Sequence, residues 1–208
     1  MKNTNEAKKT FFVLTLIGMA SMLYGQTTTV TAKDFHFDGN KGLVSILFGY
    51  KNKITNLIIP EDLGITSLGY GNNIILNGQG VFEGHKITSI VIPNTVTVIG
   101  QRAFADCKNL TSITIPDSVT TISSGAFQGC TGLTSVIIGS SVTSIGQFAF
   151  EDCKNLTKVT FKAKLPPGRG MPLMFDRGHD LENIYVKEGA GTYTRQIGGY
   201  RWTRQLDE

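Results

Sequence analysis

The sequence predicts a solenoid of short parallel β-strands stacked by a 23-residue repeat, with turns and short helical pieces between the strands and a cap at each end. The first observation is the repeat itself: residues 87–109, 110–132 and 133–155 follow one another without a gap and align position by position. The second is that apolar residues recur at the same places in every unit. The third is the presence of 24 glycines among 208 residues, which favours many turns over long helices. Units of this length stack into one continuous core.

Each unit opens on a predicted β-strand. In the unit 110–132, Leu110, Ile113 and Ile115 are apolar, and the residues between them are polar. This pattern indicates a strand with one buried face. Pro116 follows at once and ends the strand, because proline has no N–H to donate to a neighbouring strand. Since every unit runs in the same direction, the strands of successive units should pair in parallel.

Two further apolar pairs complete the unit. Val119 and Ile122 lie among threonines and predict a second extended segment on the opposite wall of the solenoid. Ala126 and Phe127 form the last pair, and we expect a short helical turn to carry them. The same pairs recur in the neighbouring units, so the phenylalanines should stack on one another along the axis.

The repeats decay towards both ends. Residues 54–86 form a degenerate unit with a Gly- and Asn-rich insertion at about 70–80, which we interpret as a loop. A partial unit begins at Leu156. Because the terminal units of a solenoid must be capped, we assign an N-terminal cap, the repeats and a C-terminal cap to residues 26–53, 54–165 and 166–208.

Residues 1–25 are predicted to be a signal peptide. A polar start with three lysines precedes an apolar stretch at 11–23, and small and turn-forming residues follow. This stretch is shorter than the roughly 20 residues that a membrane span needs, so an uncleaved anchor is the weaker alternative. We expect cleavage near the bond between Gly25 and Gln26, with Ala20 and Ser21 as the alternative. The chain should therefore be secreted or lie on the cell surface or outer envelope, and meet the membrane only during export.

The charge of the chain argues against nucleic acid as a partner. The formal net charge is +4, and it falls to about +2 once the leader, with three lysines and one glutamate, is removed. Proteins that bind nucleic acid through its phosphates need a concentrated basic surface, which so small a balance does not supply.

Cys107, Cys130 and Cys153 are spaced 23 residues apart and therefore form one column of the stack. The favoured interpretation is that they are small buried residues filling the same slot. The alternative is a disulfide between two of them, since stacked strands lie about 4.8 Å apart and a disulfide tolerates that Cα separation. A metal site is not expected, because the column presents one ligand per level with no histidine beside it.

No catalytic site is predicted. A catalytic base needs a nucleophile and an orienting group within reach, and no spacing in the sequence suggests one. The histidines are isolated at His36, His85 and His179, and we expect surface or structural roles for them. We therefore expect neither enzymatic activity nor a bound cofactor.

The repeat unit resembles that of a known family. Residues 110–132 read LTSITIPDSVTTISSGAFQGCTG and match, almost position by position, the leucine-rich repeats of the BspA-like class, also called the Treponema pallidum type. The resemblance covers residues 54–165, and the segment 181–195 is similar to the closing segment that follows such repeats. It implies a leucine-rich-repeat solenoid.

The resemblance also implies a non-catalytic role in adhesion. Members of this class are typically exported or surface proteins that bind host matrix proteins, host cells or other microbes. This chain is short for the class and has few complete repeats. We expect a secreted or surface protein that binds a protein ligand; the alternative is a structural, self-associating component of the cell envelope or of a secreted matrix.

The outward face of the predicted sheet is the first candidate for binding. If Ile90 points inward, Ser89 and Val91 point outward, and the same holds in each unit. The resulting surface carries Asn56, Ile58, Ser89, Val91, Ser112, Thr114, Ser135, Ile137, Lys158 and Thr160. Ile58, Val91 and Ile137 are apolar and would make it a shallow binding surface; the alternative is ordinary strand propensity on a solvated sheet.

The aromatic and basic tail is a second candidate, since Trp, Tyr and Arg are enriched among binding hot spots. It comprises Tyr193, Arg195, Tyr200, Arg201, Trp202 and Arg204. For Trp202 and for Tyr185 we expect packing within the C-terminal cap instead.

Overall fold

The computed structural model describes residues 27–29, 35–37, 42–46, 55–69, 80–165, 175 and 181–206. The predicted signal peptide, its cleavage site, His179 and most of the 70–80 insertion lie outside these residues. The described residues form a repeat solenoid with two walls of β-sheet joined by turns, as the sequence predicts.

The strands are short and are numbered in chain order. They are β1 (Thr27–Thr29), β2 (Phe35–Phe37), β3 (Gly42–Ile46), β4 (Asn56–Ile58), β5 (Ser67–Leu68), β6 (Ser89–Val91), β7 (Val98–Ile99), β8 (Ser112–Thr114), β9 (Thr121–Ile122), β10 (Ser135–Ile138), β11 (Ser144–Ile145), β12 (Lys158–Phe161), β13 (Gly191–Thr194) and β14 (Thr203–Gln205). The helical pieces in the described part are a 3₁₀ turn at Glu61–Leu63 and one α-helix, α1, at Leu181–Glu188.

The first wall is built from the strand that opens each repeat. β1, β4 and β6 form one parallel sheet, and β8, β10 and β12 form a second that β13 and β14 extend. The parallel pairs keep strict register, with Ser112 opposite Ser135 and Ser135 opposite Lys158. The two sheets adjoin at Thr111, whose N–H donates to the Thr88 carbonyl at 3.3 Å. The predicted parallel stacking of the repeats is confirmed.

The second wall is one six-stranded sheet in the order β11-β9-β7-β5-β3-β2. Each of its repeat strands, β5, β7, β9 and β11, has two residues, of which the second is a buried leucine or isoleucine. At the N-terminal end β2 pairs with β3 in the antiparallel direction. This wall is the opposite extended segment that the second apolar pair of each unit predicts.

The segment that carries the Ala–Phe pair is a run of turns, so the expectation of a helical turn is wrong. The Ala103 N–H donates within its unit to the Gly100 carbonyl at 3.2 Å, whereas the Phe104 N–H donates to the Ala126 carbonyl of the next unit at 2.7 Å. Arg102 adopts a φ of 52°, which helps the backbone alternate between these two directions. A helix would direct every N–H along its own axis, and the bonds between units would be lost.

The core is a set of columns that run along the stack. Leu110, Ile113 and Ile115 are buried, and so are their equivalents in the neighbouring units, apart from the half-buried Ile90. The predicted stacking of phenylalanines is confirmed. Ring centroids lie 5.0–5.6 Å apart through Phe82, Phe104, Phe127, Phe150 and Phe175.

The C-terminal cap closes this core with aromatic rings. β13 pairs antiparallel with β12, and β14 pairs antiparallel with β13. Tyr185 on α1 lies 4.2 Å from Phe161 between ring centroids, and Trp202 lies 6.2 Å from Phe175. Tyr185 and Trp202 are each 2% exposed, and both pack within the cap as expected.

Candidate protein-binding surface

The outward side chains of the first wall form a surface that we call the outer strip. Ser89, Ser112 and Lys158 lie on one row of it, and Val91 and Thr114 lie on another, in the register that the sequence predicts. These five are exposed, Val91 to 57%. The remaining places are filled by half-buried residues, namely Asn56, Ile58, Ser135, Ile137 and Thr160. The structure thus places every residue of the predicted surface on one face.

The outer strip continues into the C-terminal cap. Thr192 of β13 stands opposite Thr160, and their hydroxyl oxygens are 2.9 Å apart. Gln205 of β14 donates from Nε2 to the Thr194 hydroxyl at 2.7 Å. Sequence reasoning missed these residues because they reach the strip through an antiparallel return and not through the repeat. The alternation of threonines around the buried Tyr193 was the available signal.

Among the described residues of the outer strip, Lys158 is the one that carries a charge. The other members are hydroxyl, amide and aliphatic side chains. This surface therefore exerts little long-range electrostatic attraction.

A row of threonines stiffens the margin of the outer strip. Thr88 Oγ1 donates to the Thr55 carbonyl at 3.0 Å, and Thr134 Oγ1 donates to the Thr111 carbonyl at 2.9 Å. Thr157 Oγ1 repeats the contact with the Thr134 carbonyl at 3.3 Å. Each bond ties a side chain to the preceding repeat and so restricts its rotamers in the free protein.

The apolar residues of the outer strip are concentrated at its N-terminal half. Ile58 stands opposite Val91, whereas Ile137 stands opposite Thr114 and is separated from Val91 by that strand. Ile90, next to Val91 in the chain, packs against the core and does not belong to this face. Val91 and Ile58 therefore form a small apolar patch, and the predicted apolar residues do not make one unbroken row.

Most of the aromatic and basic tail belongs to the cap. Tyr193 and Trp202 are buried, and burial raises the pKa of Tyr193. Arg195 and Arg204 each donate to a backbone carbonyl at 2.6 Å, and the Arg195 guanidinium also lies 5.0 Å from the centre of the Trp202 ring. The exposed members are Tyr200 and Arg201. The tail therefore offers a smaller surface than its composition predicts.

The three cysteines are buried, and each keeps its thiol group. Each donates to a phenylalanine carbonyl of the preceding unit: Cys107 to Phe82 at 3.0 Å, Cys130 to Phe104 at 3.1 Å and Cys153 to Phe127 at 3.2 Å. Burial raises the pKa of Cys130 well above its ordinary value of 9.0, so this thiol stays neutral. The arrangement agrees with the interpretation that the column fills space in the core.

No three His, Cys, Asp or Glu side chains of the described ranges converge to hold a metal ion. His85 is buried, and its ring meets that of Phe82 edge-on with centroids 6.1 Å apart. The described part of the chain contains no helix long and apolar enough to cross a membrane.

Two walls of short parallel strands, stacked at 23-residue intervals around a phenylalanine column, define a solenoid-forming repeat protein. The sequence profile described as the BspA type leucine rich repeat region matches residues 77–188, in six copies. The chain therefore belongs to the BspA-type leucine-rich-repeat family. Leucine-rich-repeat proteins are typically non-catalytic and interact with other proteins.

Solved structures similar to this chain include three bacterial leucine-rich-repeat proteins. That of T. pallidum matches 64% of this chain and 71% of its own, with 23% identity and a TM-score of 0.48. One from Bacteroides ovatus matches 51% and 37%, with 28% identity and a TM-score of 0.38. A leucine rich cell surface protein from Faecalibacterium prausnitzii matches 85% and 54%, with 17% identity and a TM-score of 0.32. No curated protein matches the chain.

Proposed function

We propose that this chain is an exported, non-catalytic protein that uses the outer strip to bind a protein of a host matrix, a host cell or another microbe. The general role of its family in protein–protein interaction supports the proposal. The leader expected at residues 1–25 supports export. In this proposal residues 54–165 present most of the strip, the segments 26–53 and 166–208 cap the repeats, β13 and β14 of the second cap extend the strip, and no cofactor takes part.

The observation that carries the proposal is the small apolar patch of Val91 and Ile58, which lies beside polar residues of the outer strip. Val91 is 57% exposed and Ile58 stands opposite it, with Ser89 and Ser112 on the neighbouring row. An apolar centre within a polar rim is the usual composition of a protein interface.

The length of the outer strip fits a protein partner. It runs over seven strands, from β4 to β14, and strands about 4.8 Å apart give roughly 30 Å along the axis. Strands of three or four residues make the strip about 10–13 Å wide, so its area is roughly 300–400 Å², and a partner of standard interface size, about 800 Å², would also cover the turns beside it.

Direct binding of the exported chain to a panel of purified host matrix proteins and to whole microbial cells tests the proposal. Val91→Asp should weaken binding at least about tenfold, because a charge would be buried against the partner at the apolar patch. Ser124→Asp is the matched control, since Ser124 is exposed and lies outside the strip. The proposal fails if the wild-type chain shows no saturable binding, or if both variants bind alike.

A structural role through self-association is the second candidate. β14 is the last strand of its sheet, and Leu206, which follows it, is 84% exposed. Sheet edges promote pairing between copies of a chain unless they are blocked. Sedimentation equilibrium decides the matter, because a monomer mass at every concentration contradicts this role.

A further inference from the structure

The α-helix of the C-terminal cap carries the sequence pattern of a repeat strand. In each repeat a Leu or Ile opens the strand segment, and inward apolar residues follow three and five positions later, as in residues 156–161. Leu181, Ile184 and Val186 have the same spacing, and Leu181 follows Leu156 by 25 residues, close to one repeat length. The match to the family profile also runs through residue 188. In the structure, however, these residues form α1.

The local preferences of this segment oppose a helix. Residues 183–186 read Asn-Ile-Tyr-Val, all of which rank low as helix formers, and the last three favour strands. A helix of 8 residues is also marginal in water by itself. Tertiary contacts therefore hold α1 in place: Leu181 and Tyr185 are buried, and the Tyr185 hydroxyl accepts the Leu165 N–H at 2.6 Å.

One edge of β12 is the place where the next parallel repeat strand would lie. In the structure β13 occupies this edge in the antiparallel direction, with Thr192 opposite Thr160 and Gly191 opposite Phe161. β13 begins at Gly191, shortly after α1 ends at Glu188, so the two segments are close neighbours in the chain. Because only one strand can pair with an edge at a time, the helical segment and the hairpin are rivals for the same position.

We propose that the C-terminal cap is a two-state element. In the state of this structure residues 183–186 are helical and the β13–β14 hairpin pairs with β12. In the second state residues 183–186 form a parallel strand on β12, and the hairpin leaves that edge. Tyr185 then moves from its buried contact with Phe161 to the outward row, by the alternation of the repeat strand. Trp202 moves away from Phe175.

The exchange also regulates the end of the outer strip, a consequence that rests on the proposed function. The first state presents Thr192, Thr194 and Gln205 at this end, and the second presents Tyr185 there. The affinity for a partner that contacts this end of the strip therefore depends on the fraction of molecules in each state. The exchange itself is a property of the cap and does not require a partner.

Relaxation-dispersion NMR on the exported chain tests the exchange, because rearrangements of this size fall in the microsecond-to-millisecond range. We expect dispersion at the amides of residues 183–186 and at the indole N–H of Trp202, with minor-state Cα shifts of strand sign. The double variant Thr160→Cys/Thr192→Cys provides a lock: the two hydroxyls are 2.9 Å apart across β12 and β13, and a disulfide there holds the hairpin on the sheet. Oxidation should abolish the dispersion, and reduction should restore it.

A matched pair of substitutions at residue 183 shifts the two populations in opposite directions. Asn183→Val favours the strand and Asn183→Ala favours the helix, and the strand-to-helix ratio should differ between them about fivefold. Absence of dispersion in the wild-type chain, or dispersion that persists in the oxidised lock, overturns the proposal. Neither result bears on the outer strip as a binding surface, which Val91→Asp tests separately.

Discussion

Arg102 connects three levels of the stack through one side chain, and its removal should loosen the N-terminal repeat. Its Nη2 and Nε contact the Glu83 carboxylate at 2.7 and 3.3 Å, and its Nη1 donates to Gln128 Oε1 at 2.6 Å. Ala105 holds the place between Glu83 and Gln128 in the repeat and is too short to bridge them. The substitution Arg102→Ala removes all of these bonds.

The expected loss is about 2 kcal/mol of unfolding free energy. Hydrogen bonds to charged groups contribute about 1.5–3 kcal/mol. The Arg102 and Glu83 side chains are 30% and 16% exposed, so solvent screening places this pair at the lower end of that range. The bond to the neutral Gln128 amide adds about 0.5–1 kcal/mol. For a chain of 208 residues, this total lowers Tm by about 4–8 °C.

Urea unfolding followed by far-UV circular dichroism measures the loss, and a double-mutant cycle with Glu83→Gln isolates the pair. Amide hydrogen exchange shows where in the stack the stability is lost. The N–H groups of Phe82 and Gly84 donate to the carbonyls of Ala103 and Ala105 and should exchange faster in the variant. Arg102→Lys is the control, since lysine keeps the positive charge but lacks the several N–H donors of the guanidinium group, and it should recover part of the lost stability. A loss below about 0.5 kcal/mol, or a coupling energy near zero, would refute the reasoning.

Three further perturbations test the core. Phe127→Ala removes a ring stacked between two others at 5.2 Å and should cost about 3–5 kcal/mol in urea unfolding, whereas a cost under about 1 kcal/mol contradicts the stacking. Gly146→Ala places a Cβ 2.4 Å from the Ser124 nitrogen and should cost about 1–3 kcal/mol; an unchanged midpoint would show that the units can separate freely there. Cys130 should resist iodoacetamide in the native chain and react once urea unfolds it. Folding raises the pKa of the Cys130 thiol, so this thiol stabilises the folded chain fully below pH 9.0 and less as the pH rises further. The unfolding free energy should therefore fall above pH 9.0, and it should fall less in Cys130→Ala.

The columns of the solenoid follow from the sequence because every unit faces a copy of itself. Once residues 87–155 repeat with a period of 23, Phe104 has to meet Phe127 and Ser112 has to meet Ser135, whatever form the turns take. The same argument predicts the outer strip as far as Thr160. It also predicts the buried cysteine column, although the spacing alone leaves a disulfide open.

Tertiary structure decided the features that the period does not encode. The Ala–Phe segment is a run of turns because N–H groups of this segment bond to the next unit. A local sequence pattern does not predict hydrogen bonds between units. Arg102 bridges Glu83 and Gln128 across the short Ala105, and it stands at a different repeat position from the two residues that it joins. The hairpin that carries the outer strip to Thr192 depends on which segment holds the edge of β12. That outcome is set by contacts between residues far apart in the chain, so the sequence determines the stack and its rows, and packing alone determines how the stack ends.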